Sequence, residues 1–513
     1  MEPHLVSPES KIPMRILHLN ASSSGGAFVA AQRLSEALNH MEGVDSRHLV
    51  FEGSGGDFSL WADSWFKQAL AFGMHAIEKL DFLRFEKDKT IRFAFSHGNI
   101  GLSLETVKLF NWADVIHLHW INKGFISLDG IERLLNSQKK IVWTCHDLWP
   151  FTGGCYHPRG CDHFQLACGN CHYLRNPSLG DLSARVFKRK QALYQIAVQR
   201  SLTDKSKDSA DRSWVSCLHF VAPSRWLGDQ AKSSGIWGTN PLGLQSDLDG
   251  IVETGVPKRN LTIPISIIPN PIDTNYFYPS LAPKIWASNL SHAGNSSHPE
   301  NSAVKQSLES KHLLSAEASP LSESGTGIFQ PLSFLKSNCA TLLFVAGNLG
   351  NEAKGFSAFR QLCVGLHSAG HIDFQALVVG ENRIGDLNLP CHHIALGFIA
   401  NSNHMREVYW HSDVFVITSK EENLPTTIME SLACGLPVAG FNVGGIPEMV
   451  DAKTGFLADS GDVNSLVLQV GKYLNYSQSE KNTMREAARA FALESYAASR
   501  VASRYLQIYT QQF

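Results

Sequence analysis

The stretch Val414–Gly445, VFVITSKEENLPTTIMESLACGLPVAGFNVGG, constrains this chain more than any other. An apolar run, Val414 to Thr418, precedes a polar turn. Pro425 stands where the first residue of a helix would be, a position where its missing N–H costs nothing. The helix is predicted to run to about Cys434, with Gly435 stopping it and Pro437 leading into a second apolar run that ends in glycines. Strand, loop, helix and strand in this order form the repeating unit of a parallel α/β sheet. Glu422 and Glu430 bracket the helix start with seven residues between them. An anion bound there would meet free backbone N–H groups and the positive end of the helix dipole. The two carboxylates are then left for other work, such as binding hydroxyls.

The spacing Glu-x7-Glu, with ENLP and ESLACGLPV around it, resembles the signature of retaining GT-B glycosyltransferases of family 4, most closely the exopolysaccharide and colanic-acid type. The resemblance implies an α/β fold of two Rossmann-like domains facing across a cleft. It implies that Glu430 binds the donor ribose hydroxyls and that Glu422 acts beside the transferred sugar. It departs from the family at Asn423-Leu424-Pro425, where Gly-Phe-Gly is common. Pro425 has no amide to offer a phosphate, so donors are expected from Leu424, Thr426 or Thr427.

Composition narrows the alternatives. The chain has 513 residues, room for two large domains and an insertion. A net charge of −2 gives no footprint for nucleic acid. No apolar run approaches the roughly 18 residues of a membrane span. The N-terminus lacks the pattern of a signal peptide, so a cytoplasmic protein with reduced cysteines is expected, at or near the inner membrane face.

Arg15 to Asn20 reads as a first buried strand running into Ala21-Ser22-Ser23-Ser24-Gly25-Gly26 and a helix to about Asn39. Gly25 and Gly26 would let backbone approach donor phosphate or acceptor. Further strands, Asp114–His119 and Lys140–Thr144, end near His119-Trp120 and Cys145-His146-Asp147. Catalytic groups gather at the carboxyl ends of such strands. The resemblance makes His146 a contact of the transferred sugar. His117 and His119 alternate with apolar residues and so lie on one strand face, from which His119 and Trp120 are expected to line the acceptor side, with Asp147 there too, orienting His146. In the second half, Lys354 follows the strand Thr341–Ala346 and is placed to put a charge on a diphosphate. The arginine that usually accompanies it is replaced by Asn348, and Arg383 is the substitute expected from the next loop.

Cys155, Cys161, Cys168 and Cys171 lie in one Gly-rich loop. Four soft ligands suit a structural zinc, with disulfides or free thiols as the alternatives. Arg185–Arg200 is basic and partly amphipathic, a candidate for peripheral membrane contact or an ordinary solvated helix. Asp247-Leu248-Asp249 looks like a metal motif but follows no apolar strand, and is set aside.

The domain plan is an N-terminal acceptor-side domain over 14–232, with its Cys-rich loop at 151–175. An irregular insertion and linker follow over 233–339, disordered at about 280–333. The nucleotide-sugar domain covers 340–478, and a C-terminal helix, 479–513, returns to the first domain. The expected activity is transfer of a hexose, with retention, from a UDP- or GDP-sugar to a glycan or lipid-linked hydroxyl, needing no catalytic cofactor. The alternatives are a non-catalytic sugar-nucleotide-binding subunit and another GT-B enzyme such as an epimerase.

Overall fold

Residues 12–203, 217–238, 263–280 and 330–511 are described in the computed structural model, and they build two parallel sheets. The first sheet contains β1 (Met14–Ser22), β2 (Val44–Glu52), β3 (Ser59–Leu60), β4 (Val115–Leu118), β5 (Lys140–Thr144), β6 (Leu218–Ala222) and β7 (Ile265–Ile267). Their spatial order is β3-β2-β1-β4-β5-β6-β7. The second contains β8 (Ala340–Asn348), β9 (Phe374–Glu381), β10 (His392–Gly397), β11 (Val414–Ile417), β12 (Val438–Phe441) and β13 (Gly455–Ala458), in the order β10-β9-β8-β11-β12-β13. In each sheet the order reverses beside the first strand, leaving a crevice at the carboxyl ends where open α/β sheets bind ligands. Most strands read as near-continuous apolar runs because helices cover both faces.

Several boundaries differ from the sequence reading. β7 pairs with β6, Phe220 opposite Ile265, so a short piece of the expected linker completes the sheet. The motif Asp247-Leu248-Asp249 and residues 281–329 lie outside the described residues. Pro425 is not the first helical residue. It precedes the helix Thr426–Ala433, with ψ at 124. The expected single C-terminal helix is two, Gln478–Tyr496 and Ala498–Thr510, broken at Ala497. The break is paired: the Ile272 N–H donates to the Tyr496 carbonyl at 2.8 Å, and the Ala498 N–H to the Ile272 carbonyl at 3.0 Å. The basic helix Leu182–Thr203 turns Val186, Phe187, Leu193, Tyr194 and Ala197 into the first domain's core, so its apolar side is spent on packing.

The helix Ala498–Thr510 lies on the first domain. Val501, Tyr505, Ile508 and Tyr509 join Ile16, Leu34, Val115 and Val142 in one buried cluster. Beneath it runs a row of histidines, His48, His18 and His117, aligned across β2, β1 and β4. The Tyr509 hydroxyl is hydrogen-bonded to His117 Nδ1 at 2.7 Å. On His117 Nε2 sits the Thr144 hydroxyl at 2.8 Å, itself 2.7 Å from the Tyr505 hydroxyl. Tyr509→Phe loses one buried hydrogen bond and leaves an imidazole nitrogen unpaired, an expected cost of about 1–2 kcal/mol. Tyr509→Ala also opens a cavity, costing roughly 3–5 kcal/mol. Thermal melting of the two variants should rank them in that order; equal melting points would mean that the helix does not brace this domain.

Candidate functional site

The loops after β5, β8 and β11 meet between the domains. Lys354, just before the left-handed Gly355, reaches Glu422 with Nζ 2.6 Å from Oε1. Glu422 belongs to the turn after β11, and this turn is fixed by glycine. A Cβ on Gly444, at φ 55, would stand 1.7 Å from the Glu422 carbonyl oxygen. The Gly445 N–H donates to that same oxygen at 3.1 Å. Only a residue without a side chain lets the strand end after β12 lie so close.

Asn423 then binds the first domain. Its amide nitrogen donates to the His146 carbonyl at 3.2 Å, and its amide oxygen accepts the Ser224 hydroxyl at 2.7 Å. The departure from Gly-Phe-Gly therefore supplies a bridge across the cleft. Leu424 is buried in the second domain's core, so only its backbone is available to a ligand. Thr426 and Thr427, half-buried, open the helix behind it. Gly25, at φ 87, and Gly26 form an exposed turn at the carboxyl end of β1, with open space where Cβ atoms would be.

His146 is oriented by another histidine. His119 Nδ1 lies 3.1 Å from His146 Nε2, and His119 Nε2 lies 3.0 Å from His18 Nδ1. His119 is buried, so it does not line the acceptor side as expected; it positions His146. Asp147 does not orient His146 either. Its carboxylate accepts the Trp120 indole N–H at 3.1 Å and the Trp149 backbone N–H at 2.8 Å. Burial pushes the Asp147 carboxyl up. Half-buried Trp120 keeps its place beside this acid and packs on Tyr156.

Two donor-site expectations are altered. Arg383 is held on its own loop by Glu381, at 2.7 Å, and no contact carries it to Lys354. Glu430 is 9% exposed and has both oxygens engaged. Oε1 accepts from Arg33 at 2.8 Å and Oε2 from the Tyr409 hydroxyl at 2.9 Å. Arg33 comes from the helix Gly26–Asn39 of the other domain and was missed in the sequence. The spacing of that helix marks it only as one polar position. Glu448, also missed, caps the helix Arg225–Ser233 by accepting from the Arg225 and Trp226 N–H groups at 2.7 Å each. A carboxylate at a helix N-terminus is favoured by the dipole.

In the cysteine loop, Cys155, Cys161, Cys168 and Cys171 line one cavity of about 20 Å³, and all four are free. Burial pushes the Cys168 thiol up to about 12 and the Cys171 thiol to about 11.

These features have known counterparts. Residues 334–491 match the model of the family "Glycosyl transferases group 1". Over 113 residues the chain is 31% identical to N-acetyl-alpha-D-glucosaminyl L-malate synthase of Bacillus anthracis, covering 22% of this chain and 29% of that one. Over 174 residues it is 26% identical to WcaC of Escherichia coli K12, assigned as a glycosyl transferase of colanic acid biosynthesis, covering 32% and 40%. The matched part thus spans well under two thirds of these relatives. Among solved structures, Anabaena Alr3699/HepE in complex with UDP aligns over 97% of this chain and all of its own, at 15% identity and a TM-score of 0.52. Sucrose-phosphate synthase of Thermosynechococcus elongatus aligns over 97% and 98%, at 14% identity and a TM-score of 0.55. The fold is GT-B, and the group 1 sequence signature lies in the second domain.

Burial holds His48 and His146 near a pKa of about 4 rather than 6.5 and pushes His18, His117 and His119 well below it. The folded chain keeps these imidazoles neutral, while the unfolded chain protonates them at about 6.5. Between 6.5 and about 4 the unfolded state therefore binds more protons, and stability falls as pH falls through that window. His48 alone should contribute roughly 3 kcal/mol of the loss. Both nitrogens of His48 lack partners, so His48→Leu should flatten the dependence of melting temperature on pH. An unchanged slope in His48→Leu would refute the assignment.

Proposed function

We propose that this chain is a retaining glycosyltransferase that moves a hexose from a UDP- or GDP-sugar to a hydroxyl of a glycan or lipid-linked acceptor in polysaccharide biosynthesis. The observation that carries the reading is the convergence of Lys354, Glu422 and His146, from both domains, on one cleft at the carboxyl ends of both sheets. The group 1 match over the second domain supports the nucleotide-sugar side. Relatives assigned to glycosyl transfer, WcaC among them, support the reaction class and the polysaccharide setting.

In this reading the donor diphosphate lies against Lys354 and the backbone at Leu424, Thr426 and Thr427. The bond from the anomeric carbon to the diphosphate breaks while a bond from the acceptor oxygen forms on the same face. The acceptor proton passes to the departing phosphate. Lys354 and the helix start meet the charge as it develops, which is the most effective use of fixed dipoles. His146, neutral near pH 7, accepts or donates a hydrogen bond to the sugar without carrying charge. Glu422 holds Lys354 in place and faces the sugar. Glu430 takes ribose hydroxyls after releasing Arg33, or acts through Arg33. Its engagement by Arg33 and Tyr409 is what favours the second reading, a binding subunit without turnover.

Nucleotide release from a panel of UDP- and GDP-sugars separates the two. One donor should be hydrolysed slowly, and Lys354→Ala and Glu422→Ala should each lower the rate about 10²–10³-fold. Binding of UDP or GDP without release would favour the subunit; neither binding nor release would sink the donor site.

Peripheral membrane contact fits the helix Trp65–Phe82 better than Arg185–Arg200. It exposes Phe66, Leu70, Ile77 and Leu80 along one side, with Trp65 and Phe72 beside them. No helix among the described residues is long and apolar enough to cross a membrane. Co-sedimentation with phosphatidylglycerol vesicles should be lost in Phe66→Ser/Ile77→Ser and kept in Arg185→Ser. Retention in the former would exclude this helix as the contact.

A further inference from the structure

We propose that Cys155, Cys161, Cys168 and Cys171 bind one structural zinc ion that staples the acceptor-side loop to the cleft. From Phe151 to Asp181 the chain has no strand or α-helix, only short 3-10 turns. Phe151, Tyr156, Phe164 and Tyr173 anchor it in the first domain's core, while the chain between these anchors has no regular ladder of its own, and a metal is one way to fix such irregular chain. The loop is nevertheless shaped around one point. All four thiols line the same small enclosed cavity, with His163 and His172 at its wall. The Cys168-Gly169-Asn170-Cys171 turn places Asn170 in the left-handed region, at φ 48, and Gly169 at φ 150. The turn brings Cys168 and Cys171 of the C-x-x-C pair to the lining of the same cavity. The Gly153 N–H donates to Cys168 Sγ at 3.1 Å, a contact that strengthens when the sulfur carries charge.

A second observation points the same way. Lys190 is 1% exposed, its Nζ donating to the carbonyl oxygens of Trp149 and Thr152, and among the described residues no carboxylate is paired with it. Burial holds the Lys190 pKa down to about 7, and a negative partner would favour its charged form. Four thiolates on a divalent ion leave a charge of −2, which supplies one. Binding would displace the four thiol protons as four Zn–S bonds form, each about 2.3 Å.

His18, His117 and His119 also gather ligand chemistry, with ligand atoms within 4.8 Å of one another. Five of their six ring nitrogens are already hydrogen-bonded, and His18 Nε2 alone among the six is buried without a partner, so the trio does not offer three free ligand atoms. Both of His117 and both of His119 are hydrogen-bonded, to Tyr509, Thr144, His18 and His146. The cysteine sulfurs stand more widely than this trio and would draw together on the ion. The site is too fully ligated for catalysis. Its effect is positional: the Tyr173 hydroxyl, next to the tetrad, donates to the His157 carbonyl at 2.6 Å. His157 Nδ1 lies 3.7 Å from Glu421, the neighbour of Glu422.

The test is metal analysis of the full chain, purified under reducing conditions and dialysed. One zinc per chain is expected, lost in Cys168→Ser and in Cys171→Ser, and kept in His163→Ala/His172→Ala. Cobalt exchanged into the wild type should give thiolate charge-transfer bands and tetrahedral visible absorption, a readout that needs no activity. Since a cysteine variant may fail to fold, metal release on titrating the wild-type thiols with a mercurial provides a second measurement. Absence of bound metal in folded, reduced protein would overturn the proposal. So would disulfides among these four cysteines in a mass map, or zinc retained by both cysteine variants.

Discussion

Asn423 ties the two halves of this molecule together at the cleft through one side chain, alongside the Arg33–Glu430 pair and the Glu448 cap. Its amide nitrogen is bonded to the backbone of His146 and its oxygen to Ser224, so the turn carrying Glu422 and the turn carrying His146 cannot move apart independently. The arrangement works because each anchor is itself fixed. Ser224 also caps the helix Arg225–Ser233 through the Leu227 N–H at 3.0 Å, and Gly444 leaves no room for Glu422 to shift. A neutral amide suits this position. It is satisfied on both sides without a charge that would need pairing. The separation of Glu422 and His146 is therefore set by the two turns that Asn423 joins.

Electrostatics then prepares the cleft in opposite ways on its two sides. On the first-domain side, burial strips charge: His18, His119 and His146 form a neutral chain, and the Asp147 carboxyl is pushed up. On the second-domain side, charges are retained by pairing, Lys354 with Glu422 and Arg33 with Glu430. The Arg33 and Glu430 side chains are only 14% and 12% exposed. Breaking such a pair by removing one partner leaves a buried charge uncompensated, at a cost of about 3–5 kcal/mol. A ligand that competes for Glu430 must replace what Arg33 gives. An anionic ligand does so naturally, since it offers Arg33 a new partner at the moment it frees the carboxylate. Arg33 and Glu430 lie on different domains, so this exchange would also loosen or tighten the cleft.

What the sequence made legible follows its local physics. The unit Val414–Gly445 was readable because a strand period, a helix stop and a glycine pair coincide within it. β1, β5 and β8 were readable as dense apolar runs. Contacts that depend on distant partners were not. Nothing near Ala497 breaks a helix; the break exists because Ile272, more than two hundred residues away, pairs with both of its ends. His119 read as a ligand-facing group because alternation on a strand tells which face a residue takes, not what covers that face. Its cover is His18 and His146. Arg33 was invisible for a similar reason: its importance lies in Glu430, brought to it by the packing of two domains. Arg383 was legible as a cation but not as one already held by Glu381.

The cysteine loop shows why a site can be read in part at both levels. Spacing gave four ligands, and the fold gave one cavity for them, but the reason for a staple comes from the cleft. Asp147 and Trp149, at the loop's root, are tied to Trp120, whose indole N–H would drift without a fixed acid. His157, at its tip, reaches toward Glu421. A flexible loop would let both ends wander and would spend binding energy on ordering them at each encounter. The proposed metal would stiffen it from within, away from His146 and Glu422, and leave those two side chains free of metal chemistry.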